Sequence, residues 1–424
     1  MVRMTRRVLL ASALATGLAA NFTAAPAWAD GEVTIAHYFT GDLGRDGLNE
    51  IFAGFKAETG ITVKDSPIGH EDFKTGILVR AAGNNLPDVF SYWAGARTQF
   101  VVNSNSLHPI DEMWTAGNLD GVIAKSVADG ASSYNGKHYL VPFGYHYAGM
   151  FYNKKVMEKA GITEMPKTWD EFKAMCQKLK AAGVAPIALG SKNRWPAQFW
   201  FDYLLLRTVG PEYRAKLMAG EASYTDPEVA KAMTLWKELL DEGAFGQNPN
   251  AYDWTDAADQ VQRGEAAITL MGTWITGYWK TNKFEPGSDY DFFEFPTITE
   301  GVAHAAVGPV DGLVISANAA NKPGAEKLLN FLISKPEVQA KWASIQGALS
   351  ANVNVDPKGY TPVMQHALEV VKNADAFAFN YDLATPPPVA EVGLSMFTQF
   401  IDNPAGMTDI LKETQTGAEA AFKQ

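Results

Sequence analysis

A single cysteine, Cys176, occurs in 424 residues, so no intramolecular disulfide can form. It lies far from the N-terminus, which also excludes lipid attachment through a leading cysteine, and its amphipathic surroundings predict a buried, inert thiol. Cationic residues are in the minority, 36 Lys and Arg against 47 Asp and Glu for a formal net charge of −11. Nucleic acids and anionic membranes reward clustered cations, so neither is an expected partner. Past the first thirty residues no apolar run reaches the length of a membrane-spanning helix. Motifs of catalysis and cofactor binding are missing too: no H-E-x-x-H, C-x-x-C, G-x-S-x-G, P-loop or G-x-G-x-x-G occurs, and the seven histidines contain no i, i+4 pair. No catalytic residue, metal or cofactor is therefore expected. Nor is there an internal repeat or a long flexible linker.

What is present begins with a targeting pattern. Arg3, Arg6 and Arg7 precede an apolar run from Val8 to Ala20, and Ala27-Trp28-Ala29 supplies an A-x-A cleavage site. Residues 1–29 read as a signal peptide cleaved near Ala29, with the Sec or twin-arginine route left open by Thr5-Arg6-Arg7-Val8-Leu9-Leu10. Cleavage would leave 395 residues and, with three arginines gone, a formal charge of −14. That length exceeds what one core usually supports and predicts two lobes.

Periodicity predicts an α/β fold. Val33-Thr34-Ile35 reads as a strand, Leu48, Ile51, Phe52 and Phe55 as a helix face ended by Gly60, and Ile61-Thr62-Val63 as the next strand. Asp88-Val89-Phe90 adds another strand after a helical stretch from Phe73 to Ala82. Thr168 and Glu171 form a capping box ahead of Trp169, Phe172, Met175 and Leu179. Asp226-Pro227-Glu228 opens a helix, and Ser334 to Glu337 reads as a further capping box. Asp253, Asp256 and Asp259 read as a solvated acidic helix face rather than a metal loop. Ala306-Val307 and Leu313 to Ser316 are strand-like and could return to the first lobe.

Aromatic residues beside turn-formers and polar groups, outside amphipathic helices, form the positive signal. Sugars present an apolar C–H face and a rim of hydroxyls, so their sites combine rings with Asp, Asn, Gln, His or Arg. Six places have that character: His37 to Asp42, Tyr92 to Arg97, Tyr145 to Tyr147, Asn193 to Trp195 with Gln198, Trp254 within Tyr252 to Thr255, and Trp274. Trp169, Trp236 and Trp342 lie on helical apolar faces and belong to the core. A glycosidase would need only two suitably spaced carboxylates, which sequence leaves open.

The order of several motifs carries a resemblance. These are Pro87-Asp88-Val89, Tyr134 to Tyr139 leading to Val141-Pro142, Tyr152-Asn153-Lys154, Pro166 to Phe172, Gly264 to Ala267 leading to Met271-Gly272-Thr273-Trp274, and Gln346 to Ser350. Together they resemble the extracellular solute-binding proteins, family 1, the sugar-binding receptors of ABC importers of the maltose-binding-protein type. The resemblance implies a two-lobed periplasmic-binding-protein fold (type II) with interwoven lobes and a ligand cleft between them. It implies a first lobe over 30–141 with 305–355 returning to it, and a second over 142–304 with 356–424 packing mainly on it. It further implies a periplasmic, monomeric receptor that captures a sugar or glycoside and delivers it to ABC permease transmembrane subunits. The implied contacts are Trp93, Arg97, His146, Arg194, Trp195, Trp274, Asp311 and Gly312, beside the Tyr38, Asp42, Tyr145 and Trp254 noted above. Ala96 and His146 stand where the family has acids, so an Arg97–His146–Arg194 constellation favouring a negatively charged or sulfonated glycoside is an alternative. Another non-sugar solute, or a periplasmic glycosidase, are the others.

Overall fold

The computed structural model describes residues 31–423, so the expected signal peptide lies outside the described residues. Strands Glu32–His37, Thr62–Pro67 and Val89–Trp93 run parallel, with helices Asp42–Thr59 and His70–Ala82 between them as the strand–helix–strand pattern requires. Strand Val310–Ile315 returns late in the chain, pairs antiparallel with Val89–Trp93, and is flanked on its other side by Leu140–Tyr145. A second sheet joins Tyr290–Phe293, Ala148–Asn153, Ala266–Gly272 and Ala185–Ile187 in that order. Each sheet has its own apolar core, and the two lobes are thus separately packed bodies.

Local chemistry explains the helices that frame these sheets. Thr168 accepts from the Glu171 N–H while Glu171 accepts from the Thr168 N–H, which fixes the start of helix Trp169–Ala181. Its buried face is Trp169, Phe172, Met175, Cys176 and Leu179, and burial pushes the Cys176 thiol up to about 12. Trp236 and Trp342 are likewise core residues. Helix Pro227–Asp241 opens on a proline, whose missing N–H costs nothing there, and the preceding Asp226 accepts from the Tyr213 hydroxyl.

Several expectations are corrected. Ser334 ends the helix Lys322–Ser334 and donates to Asn330 Oδ1; Lys335 precedes the next helix, so no capping box forms with Glu337. Pro336 at the first turn sets that helix start instead. The lobe boundary at 141–142 falls inside strand Leu140–Tyr145, so the chain leaves the first sheet after Tyr145. Ala305–Val307 pairs with Ala376–Ala378 in the second core, and the return begins only at Val310. A three-residue apolar run cannot reveal which sheet it joins. Of the segment 356–424, most buried residues belong to the second core and Leu383 to the first.

The chain crosses between lobes in segments bonded to one another. His146 donates its backbone N–H to Pro309 O at 3.0 Å, and Tyr145 exchanges two backbone bonds with Leu349 at 2.9 and 2.8 Å. Among the described residues, no helix is long and apolar enough to cross a membrane.

One buried ion pair supports the C-terminal segment on the second lobe. Arg214 donates to Asp202 at 2.6 and 3.0 Å, and the Tyr381 N–H donates to the same carboxylate at 2.8 Å. Burial pushes the Asp202 carboxyl up to about 6 against the pull of Arg214. The folded value is above the unfolded one of about 3.9, so its contribution is full below pH ~4 and is lost as pH rises through 6. Asp202→Asn should therefore lack this fall between pH 4 and 6 in urea denaturation. Equal slopes in the two proteins would contradict this assignment.

Candidate ligand-binding cleft

A cavity of about 380 Å³ lies where the two cores face each other, within the range of small-molecule sites. On the first-lobe side it is reached by the ends of parallel strands, where an α/β sheet presents its ligand edge. Tyr38 follows Glu32–His37, and Trp93 ends Val89–Trp93; their rings stack at 4.4 Å and 11°. Asp311 is the sheet partner of Trp93 and accepts from the Tyr38 hydroxyl at 2.6 Å. Burial, reinforced by Asp311, pushes the Tyr38 hydroxyl well above its ordinary range, so it remains a donor.

The second-lobe wall is aromatic. Trp274 follows strand Ala266–Gly272; Trp195 lies 5.9 Å from its ring and Phe199 6.0 Å. A Cβ at Gly272 would run into the Trp274 ring, so glycine is what lets that ring lie back over its own strand end. Trp254 packs edge-on against Tyr278 at 5.3 Å, and both line the cavity. The three aspartates beside them are structural rather than a free acidic face. Asp253 and Asp256 form a capping box on helix Trp254–Arg263, Asp253 accepts from Asn193, and Asp259 accepts from Tyr278. The sequence pattern of acids spaced by three does not show these partners.

His146 joins the two sides. Its Nδ1 lies 2.9 Å from Thr273 Oγ1 and 3.1 Å from Gly347 O, and its Nε2 lies 3.2 Å from Asp311 Oδ2. Its ring meets Trp274 edge-on at 5.3 Å.

Seven expected residues thus line one cavity: Tyr38, Trp93, His146, Trp195, Trp254, Trp274 and Asp311. Four others are placed away from it. Arg97 is buried behind Trp93, where its Nε donates to Asp382 O at 3.1 Å. Arg194 turns to Glu391 at 2.6 Å, with a left-handed φ of +66°. Tyr145 meets Phe377 edge-on, and Gly312 is closely packed on Leu140. Asp42 opens helix Asp42–Thr59, and its side chain lies outside the described residues. The Arg97–His146–Arg194 constellation therefore does not form. Each arginine has a carboxylate partner almost two hundred residues or more away in sequence, which local pattern cannot reveal.

Polar residues at the cavity that the sequence did not mark as contacts, or marked only as neighbours, include Lys74, Gln198, Asn380 and Asp382. Lys74 Nζ donates to Asp382 Oδ2 at 2.5 Å, and the Asp382 N–H donates to Gln198 Oε1 at 2.8 Å. Burial alone would raise the Asp382 carboxyl, but Lys74 and then Arg97 outweigh it and hold it below its ordinary range. His70 lines the same wall, edge-on to Trp93 at 5.3 Å and 6.0 Å from Trp195. Among the described residues, no group of three His, Cys, Asp or Glu is arranged to hold a metal ion.

A direct lobe-to-lobe contact closes one side: Trp195 Nε1 donates to Glu71 Oε1 at 3.0 Å. Partial burial would raise the Glu71 carboxyl, but the hydrogen bond and charge of His70, then Lys74 and Trp195, hold it below its usual range. Glu71→Ala should weaken ligand binding by about 1 kcal/mol, roughly fivefold, while Glu71→Gln retains an acceptor and much of the affinity. Calorimetry showing no loss in Glu71→Ala would remove this contact from the closed state.

The fold and cleft have known counterparts. The family model for bacterial extracellular solute-binding proteins matches residues 41–339. An uncharacterized ABC transporter extracellular-binding protein of Pyrococcus horikoshii is 30% identical over 355 residues, covering 81% of this chain and 77% of that one. A probable sugar-binding periplasmic protein of Mesorhizobium japonicum is 26% identical over 411 residues, covering 94% and 95%. Among solved structures, the bacterial solute receptor AcbH, described as exclusive for β-D-galactopyranose, superposes with a TM-score of 0.86 at 25% identity, covering 93% of this chain and 100% of that one. A chitin oligosaccharide binding protein gives 0.85 at 23% identity, covering 93% and 99%. With two separately packed lobes, bonded crossings and a ring-walled cavity between them, the chain belongs to the bacterial extracellular solute-binding protein family.

Proposed function

We propose that this chain is the sugar-binding receptor of an ABC importer. The observation that carries this reading is the cavity between the two cores, walled by Trp93, Trp195, Trp254 and Trp274 and rimmed by Asp311, Asp382, Asn380, Gln198 and Lys74. Rings supply faces for the C–H surface of a sugar, and the rim supplies donors and acceptors for its hydroxyls. The sugar-binding names of relatives across most of the chain support the same reading.

Residues 1–29 direct the chain to the periplasm and are cleaved near Ala29. There the receptor acts as a monomer: a sugar enters the open cleft, the lobes hinge about the bonded crossings, and the closed form docks on the permease transmembrane subunits. The receptor performs no chemistry on the sugar. ATP hydrolysis elsewhere supplies the work of transport.

A thermal-shift screen of the purified chain against neutral sugars, glycosides, sugar acids, sulfonated sugars and polyamines tests the proposal. At a hundredfold excess over the dissociation constant, a bound ligand adds about 2.7 kcal/mol to stability. A shift with a saccharide that is recovered intact is the expected result. Silence from every saccharide would overturn the sugar reading, and consumption of the saccharide would make the protein a glycosidase. Trp274→Ala should weaken binding of the responding sugar by about 2–4 kcal/mol, as central aromatic contacts do. Unchanged affinity in a folded variant would remove Trp274 from the site.

A further inference from the structure

One end of the cavity is chemically more specific than its aromatic walls. It is assembled around Asp382 from three separate parts of the chain: helix His70–Ala82 brings Lys74, helix Gln198–Val209 brings Gln198, and the segment before helix Pro387–Asp402 brings Asn380 and Asp382. Asn380 Nδ2 donates to Asp382 Oδ1 at 2.7 Å. A carboxylate accepts from its donors, so the amide must turn its nitrogen to Asp382, which fixes the placement of Asn380 Oδ1. That oxygen is buried and has no hydrogen-bond partner in the protein, although Asn380 lines the cavity and is only 5% exposed. A buried acceptor without a partner is costly and calls for a donor from outside the chain.

Donors sit beside it. Gln198 is held through its Oε1, which accepts from the Asp382 N–H, and its amide also supports the Asp382 carboxylate, which engages one of its two N–H groups. Lys74 gives one N–H to Asp382 and has two more. Adjacent donors and acceptors suit hydroxyl groups, each of which donates and accepts.

Charge narrows the ligand further. Lys74 and Arg97 both face the one Asp382 carboxylate, at 2.5 and 3.8 Å, and Asp311 adds a second acid at the cavity. A ligand carboxylate, phosphate or sulfonate would meet acids and a cation already paired. We infer that the Asp382-centred cluster reads neighbouring hydroxyls of a neutral saccharide, that Asn380 Oδ1 and Lys74 are its discriminating contacts, and that Arg97 positions Asp382 from behind. This assignment rests on the sugar-receptor reading and names the class of sugar within it.

The test is calorimetric titration of the whole purified chain with D-glucose, D-galactose, D-xylose, maltose, lactose and raffinose, and with D-glucuronate and D-galacturonate. The tightest neutral sugar is then compared with its monodeoxy analogues in wild type and in Asn380→Ala. A neutral sugar should bind at least about tenfold tighter than its uronate, and one monodeoxy analogue should lose about tenfold or more in wild type. In Asn380→Ala that discrimination should fall below about threefold, because the acceptor that reads the missing hydroxyl is gone. A structural role for Asn380 would weaken parent and analogue alike and leave the ratio intact, which overturns the assignment. A uronate binding as tightly as its neutral parent overturns the charge argument while the sugar reading stands. Binding by none of the eight probes takes down the inference together with the sugar reading beneath it. Lys74→Met, whose altered end lies at the cavity, carries the same deoxy comparison should Asn380→Ala fail to fold.

Discussion

The bonding of the interlobe crossings to one another is the constraint on which the rest of this protein depends. His146 gives its N–H to Pro309, and Tyr145 and Leu349 exchange both of theirs. Crossings tied in this way would bend together rather than slide independently, which is why the proposed motion of the lobes is a hinge. Close packing enforces the arrangement: a Cβ at Gly308 would strike the His146 carbonyl, and one at Gly347 would strike Thr273 and Thr276. Residues that line the cavity inherit their positions from this junction. His146 lies in one crossing, Asp311 two residues past another, and Gly347 at the approach to the third.

Closure is then a matter of differential contact, since a ligand shifts an equilibrium only by what it gains in one state over the other. The first lobe brings Tyr38, Trp93, His70 and Lys74, and the second brings Trp195, Gln198 and Trp274. Asp382 is tied through its backbone to Gln198 while its carboxylate reaches Lys74 and Arg97, so it belongs to both sides. The same interlobe contacts that complete the cavity would separate on opening. A ligand touching both lobes therefore favours closure through the groups that recognise it.

Much of this was legible in the sequence, and the reasons are specific. Strand–helix–strand order at the start placed Tyr38 and Trp93 at the ligand edge, because the ends of parallel strands are where such sheets present side chains. The glycine break at Gly272 marked Trp274. What stayed hidden depended on partners distant in sequence. Arg97 and Arg194 looked like free cations until Asp382 and Glu391 were placed against them. Lys74 reads as an ordinary lysine of a surface helix, and Asn380 and Asp382 lie in a short stretch with no periodic signal. The lobe boundaries slipped by a few residues because the apolar run around Leu140 to Tyr145 has the same pattern whichever sheet it joins.

The central claim, that two lobes hinge closed on a saccharide held between them, is most directly tested by small-angle scattering. Profiles of the purified chain would be recorded without ligand and at saturation with the sugar that gives the largest thermal shift. A fall in radius of gyration on saturation, absent when a non-binding sugar is added, is the predicted result. An unchanged profile at proven saturation would contradict hinge closure and leave a rigid sugar-binding protein in its place.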